Sequence, residues 1–217
     1  MSLDVGEGEC IAIMGTNGSG KTTLFEIISR NQEPDAGDLR YLGEDLRRFR
    51  PHDLASRGLL RLFQTPLLCQ ALTVAEHLLL SREARPVPGQ LATEALAGFG
   101  LDAIALRSAS GLTLFQKRSV ELARAYLTCP RLLLLDELTS GLDSFEREHA
   151  LRLLERIRDL GTAIVLIEHD PWILERLTTR LVVLDQGAVV AEGSTRSVLA
   201  SDNVRRLSIG TRHVAAD

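Results

Sequence analysis

Gly15-Thr16-Asn17-Gly18-Ser19-Gly20-Lys21-Thr22-Thr23 satisfies the pattern G-x-x-x-x-G-K-[ST], and its flanks decide how it is read. Residues 9–14 before it (ECIAIM) form a short apolar run of strand length. Residues 22–29 after it carry Leu24, Phe25, Ile27 and Ile28 for the core face of a helix. A glycine loop between a buried strand and a helix N-terminus turns successive N–H groups inward, where they cradle oxyanions. In such a loop Lys21 neutralises β- and γ-phosphates and the Thr22 hydroxyl ligates Mg²⁺. At average composition the bare pattern arises by accident in on the order of 1% of chains this long, and the strand–helix context lowers that further. All nine residues are therefore candidates for binding a nucleotide.

Outward from the loop, strands alternate with helices. Residues 34–37 read as a turn, 38–42 and 59–63 as strands. The texture then becomes helical, with candidates at 73–81, 90–99, 101–106 and 116–128, interrupted by Pro86, Pro88 and Gly89. Strands return at 131–135, 162–167, 180–184 and 188–191, separated by helices at 143–160 and 172–177. Asp143 and Glu146 form a capping box, and Gly161 ends that helix. Gln186-Gly187 is a turn. The expected fold is α/β: a mostly parallel sheet flanked by helices. The expected organisation is a core of residues 1–65 and 129–217, with a helical subdomain inserted at 66–128.

Composition is compatible with one ordinary globular domain of 217 residues, 45% apolar and 25% charged. A net charge of −4 gives no electrostatic reason to expect nucleic acid as a partner. Only two of the 25 basic residues are lysines, Lys21 and Lys117. Cys10, Cys69 and Cys129 have no zinc-ligand spacing and read as buried, reduced thiols of a cytosolic protein. No apolar run reaches the roughly 20 residues of a spanning helix, and no leader is expected.

Asp136 and Glu137 follow the apolar run 131–135 directly. At the crevice of a parallel sheet, carboxylates at a strand's end sit beside the ligand. Asp136 is placed to hold Mg²⁺ through water, and Glu137 to orient or deprotonate an attacking water. His169, two residues past the apolar run 162–167, is placed to reach a γ-phosphate. His52, His77, His149 and His213 read as structural.

Together these residues resemble the ATP-binding subunits of ABC transporters over nearly the whole chain. The glycine loop is similar to Walker A, and Leu132-Leu133-Leu134-Leu135-Asp136-Glu137 to Walker B with its catalytic glutamate. Ser140-Gly141-Leu142-Asp143 resembles the D-loop, His169 the switch histidine and Gln64 the Q-loop glutamine. Residues 120–125 (VELARA) resemble the helix after the signature motif. Within the family, 57–64 (RGLLRLFQ) and 167–170 (IEHD) look most like the branched-chain amino-acid importers.

The resemblance implies ATP and Mg²⁺ as ligands, with Thr22, Gln64 and Asp136 at the metal. It implies ATP hydrolysis driving import, and a second ABC ATPase subunit, identical or different, closing head to tail. Thr113, Gln116 and Asp143 would make contacts across that dimer. Transmembrane permease subunits, and indirectly a solute-binding protein, are implied as partners. The implied location is cytoplasmic, on the inner face of the cell membrane.

The sequence departs from the family at three points. The signature falls at Leu112-Thr113-Leu114-Phe115-Gln116, with Phe115 where glycine allows close backbone approach to the partner's ATP. Family members carry a further stretch before Ser2, including a strand with an adenine-stacking aromatic, so the N-terminal antiparallel strands are expected to be truncated. Leu138 replaces a usual proline. An alternative expectation is therefore an ATP-binding partner or regulatory module with little turnover. A non-transport ABC ATPase is disfavoured by the absence of a second nucleotide domain or a long coiled-coil insert. A GTPase is disfavoured because no Asn-Lys-x-Asp segment is present.

Overall fold

The computed structural model describes residues 1–84, 89–202 and 204. A six-stranded sheet runs in the order β4 (Leu59–Leu62), β5 (Leu132–Asp136), β6 (Ala163–Ile167), β1 (Cys10–Gly15), β7 (Arg180–Asp185) and β8 (Ala188–Ser194). The pairs from β4 through β7 are parallel; β8 closes the edge antiparallel to β7 through the tight turn Gln186-Gly187. Every residue of β1 is buried, as a central strand covered on both faces requires.

Alternate residues of the strands feed two apolar clusters. Ile11, Ile13, Leu134, Val165 and Val182 face one way, against Phe25 of α1 (Lys21–Ile28). Ala12, Leu133, Leu135, Ile164, Leu166 and Val183 face the other. There they meet α4 (Leu114–Thr128), α5 (Ser144–Arg158) and α6 (Pro171–Leu177). The segment between β4 and β5 also holds α2 (Val74–Ala84) and α3 (Gly89–Gly98). Val74, Leu78, Phe99 and Val120 join the second cluster, so the helical insert shares one core with the sheet.

Several expectations are corrected. The strand expected at 38–42 is two residues long: β2 (Arg40–Tyr41) pairs with β3 (Glu44–Asp45) around Leu42 and Gly43, both at positive φ. The helix expected at 101–106 is only a 3₁₀ turn, Asp102–Ile104. Gly100, at φ 67°, has already reversed the chain so that Phe99 and Leu101 both enter the core. The strand expected at 188–191 runs on to Ser194 and leads into a short helix, α7 (Thr195–Ala200), additional to the expected elements. Cys69 is exposed and Cys129 half-buried, whereas Cys10 is a buried thiol that burial pushes up to about 12. Pro86, Pro88 and His213 lie outside the described residues. Among the described residues, no helix is long and apolar enough to cross a membrane.

Candidate functional site: a phosphate loop facing two carboxylates

The loop from Gly15 to Gly20 leaves the C-terminal end of β1 and opens α1. Gly20 caps the helix at φ 102°, a conformation that glycine adopts without strain. Gly15 is required for a different reason: a Cβ there would collide with the Leu184 carbonyl oxygen and lie 2.6 Å from Ser19 Oγ. The Gly187 N–H donates to Ser19 O at 2.9 Å, so the β7–β8 turn braces the loop. Thr16 Oγ1 reaches Asp185 at 3.4 Å.

Lys21 is nearly buried and donates to Gly15 O at 2.8 Å and Thr16 O at 2.9 Å. Burial lowers its pKa, and the charges of Glu137 and then Asp136 oppose that shift. The ammonium thus sits within the field of both acids. Thr22 and Thr23 are exposed in the first turn of α1, which has no acidic residue to repel an anion.

Asp136 is the last residue of β5, and Glu137 follows it in a left-handed conformation at φ 44°. Holding a non-glycine residue there costs on the order of 1 kcal/mol, and it re-aims the side chain as the strand ends. The Glu137 N–H remains bonded to Ile167 O at 3.0 Å. Gln64 Nε2 donates to Glu137 Oε2 at 2.8 Å, and His169 Nε2 lies 3.2 Å from Oε1. The structure therefore brings Gln64, Glu137 and His169 together from three different strand ends.

A supporting layer was not singled out from the sequence. Arg61, in β4, is deeply buried and donates to Glu26 Oε1 at 2.7 Å and Ser29 Oγ at 3.0 Å; its Nη2 lies 3.5 Å from Asp136 Oδ2. Even so, burial dominates and raises the Asp136 pKa, with Arg61 acting in the opposite direction. Glu168, also buried, accepts from Thr139 Oγ1 at 2.9 Å and from the His169 N–H at 3.0 Å. Arg147 on α5 bonds Asp170 at 3.2 Å, beside His169. The available signal was a lone charge inside an apolar run: Arg61 in LLRL, Glu168 closing AIVLI.

Thr113, Gln116 and Asp143 serve the chain itself as helix caps. Thr113 Oγ1 accepts from the Gln116 N–H at 3.2 Å, and Gln116 Oε1 accepts from the Thr113 N–H at 3.0 Å. Asp143 and Glu146 close the expected box on α5. Among the described residues, none of the three hydrogen-bonds to the glycine loop or the two carboxylates. The Phe115 ring lies edge-on to His149 of α5, centroids 5.3 Å apart, so its bulk is directed onto the neighbouring helix. By helix geometry the first N–H groups of α4 still lack intrahelical acceptors.

The donor set fits a magnesium nucleotide. The buried Ser19 hydroxyl has no partner, the loop end of α1 offers N–H groups, and Asp136 and Glu137 supply carboxylate oxygens, the hard donors that magnesium takes.

Comparison with known proteins agrees. Residues 1–140 match the sequence profile described as ABC transporter. The "High-affinity branched-chain amino acid transport ATP-binding protein BraF" of Pseudomonas aeruginosa is 29% identical over 230 residues, covering 97% of this chain and 90% of that protein. The "Methionine import ATP-binding protein MetN" of Caulobacter vibrioides is 37% identical over 217 residues, covering 95% of this chain but 65% of that longer protein. The crystal structure of the ADP conformation of an ATP-binding cassette of an ABC transporter superposes with a TM-score of 0.84 at 26% identity, covering 97% of this chain and 91% of that one.

Proposed function

The chain belongs to the ABC transporter family of ATP-binding subunits, and from that premise we propose that it hydrolyses ATP to drive import of a small solute. The observation that carries this reading is the Lys21 ammonium, nearly buried at the glycine loop and within the field of Glu137 and Asp136.

The chain's own residues divide the work. The loop N–H groups and Lys21 bind the phosphates, Lys21 exchanging its two backbone carbonyls for phosphate oxygens. Thr22, Gln64 and Asp136 would hold Mg²⁺, which when bound supplies charge neutralisation on the phosphates. Glu137 holds a water for attack and takes its proton, with acceptor oxygens otherwise occupied by Gln64 and His169. His169 orients that carboxylate and faces the terminal phosphate. Glu168 fixes the backbone that presents His169.

The reading extends to partners. A second ATPase subunit, the same chain or a related one, presents the start of its α4 to the nucleotide, with Thr113, Gln116 and Asp143 near the junction. Membrane-spanning permease subunits receive the movement, which places the protein on the cytoplasmic face of a membrane. An amino acid is the proposed cargo, branched-chain in preference to methionine, because the branched-chain relative matches along 90% of its length.

Steady-state hydrolysis with ATP and magnesium tests the proposal, with Glu137→Gln as control. We expect saturable ATP binding in both proteins and at least about a hundredfold loss of turnover in the variant. A well-folded sample that shows no saturable ATP binding, or turnover indifferent to Glu137, would overturn it.

A further inference from the structure

We propose that Arg118 and Glu121 are positioning residues for ATP turnover, fastening to α4 the segment that carries Gln64. The inference rests on the ATPase reading above and deepens it by naming what sets the reach of Gln64.

The two residues lie three apart on one face of α4 and are almost wholly enclosed, Arg118 at 0% exposure and Glu121 at 4%. Arg118 Nη1 donates to Glu121 Oε2 at 2.9 Å and to Phe63 O at 2.6 Å. Its Nη2 donates to Gln64 O. Glu121 Oε1 accepts from the Leu67 N–H at 2.9 Å. One ion pair thus holds two successive carbonyls, Phe63 and Gln64, and an N–H three residues further on.

Stability does not account for such a pair. Taking both charges out of water is costly, and an apolar pair of similar volume serves a core as well. What the fork of a guanidinium adds is geometry, because it fixes two acceptors at once. The acceptors here belong to the backbone on either side of the Gln64 side chain, which itself donates to Glu137. Where α4 lies therefore determines where that amide can reach. The same helix begins at the Thr113–Gln116 cap and packs Phe115 on α5. A displacement of its first turn is transmitted through Arg118 to the Gln64 backbone.

The test removes both charges of the pair together, Arg118→Met with Glu121→Leu, beside Arg118→Lys alone. In the double variant kcat is expected to fall by about tenfold, while KM and the dissociation constant for ATP change by less than about twofold, since the glycine loop is untouched. Arg118→Lys, which keeps the charge and loses the fork, should retain an intermediate kcat. A folded double variant with wild-type kcat overturns the proposal. So does a loss of kcat and ATP binding in common proportion to the loss of folded protein.

If the double variant does not fold, Glu121→Gln takes its place, with hydrogen exchange read at the Leu67 amide. Faster exchange with reduced kcat supports the proposal; faster exchange with unchanged kcat overturns it. A wild-type protein without Glu137-dependent turnover would instead defeat the functional reading, and this inference with it. That result is distinct from a wild type and a variant that turn over equally fast.

Discussion

The side-chain amide of Gln64 donates to Glu137 Oε2 at 2.8 Å, although 73 residues separate the two in sequence. The first ends the approach out of β4 and the second follows β5, its neighbour in the sheet. Together with His169 on the opposite oxygen, the contact keeps the Glu137 carboxylate engaged from both sides. A water positioned by Glu137 must therefore compete with these contacts or be arranged by them.

Lys21→Met should separate nucleotide binding from folding. Burial disfavours the charged ammonium, while its bonds to the Gly15 and Thr16 carbonyls and the facing acids favour it, so the melting temperature should move little. ATP affinity should fall at least about tenfold, as expected when a charge-assisted bond to phosphate is lost. Titration with a fluorescent ATP analogue, beside thermal melts, measures both. Undiminished affinity would refute the assigned loop.

Asp136 carries a pH signature. Its folded pKa is raised by burial above the ordinary 3.8, so the fold favours the protonated form. That contribution is full below the unfolded pKa and is lost as pH rises through the folded one. Above that folded pKa the ionised carboxylate is a burden on the nucleotide-free protein. Asp136→Asn should raise the melting temperature at about pH 7.5, gain much less at about pH 4, and abolish magnesium-dependent turnover. Equal melting temperatures of wild type and variant at neutral pH would contradict this account.

Glu168→Ala should destabilise by about 1–3 kcal/mol, because the Thr139 hydroxyl loses a buried acceptor and the His169 N–H loses its bond. Urea unfolding reads the cost. Turnover should fall as well, with ATP affinity little changed, since the backbone presenting His169 is released.

Phe115→Gly should weaken the start of α4 by about 1 kcal/mol for glycine in a helix. Losing the contact with His149 removes about another 0.5–1.5 kcal/mol. Turnover per folded molecule should not rise. If the ring instead obstructed a partner's nucleotide, turnover would increase, and a steady-state assay corrected for folded fraction distinguishes the two.

What the sequence made legible was what depends on local pattern. The glycine loop declared itself because strand, loop and helix are contiguous, and β1, β5 and β6 because strands buried on both faces are continuously apolar. The Asp143–Glu146 box was readable from a spacing of three. Contacts between distant segments were not. Arg61 serves Glu26, Ser29 and Asp136 together, and only the sheet order brings them near. The β2–β3 hairpin was obscured because its turn uses Leu42 at φ 52°, where side chains other than Asn, Asp and Gly are uncommon. The stretch 101–106 has helical periodicity, but Gly100 and the burial of Leu101 claim it for a turn.

The parallel strands hold their chemistry in a fixed row, with Asp136 opposite Ile167 on β6 and Ile13 opposite the same residue from β1. A slip of one residue between any two strands would advance a side chain by about 3.3 Å and turn it to the other side of the sheet. Such an error would also point Leu134 or Val165 into the wrong cluster. The greasy halves of these strands therefore act as proofreaders. They veto every misaligned pairing, and so guard a reaction whose atoms they never touch.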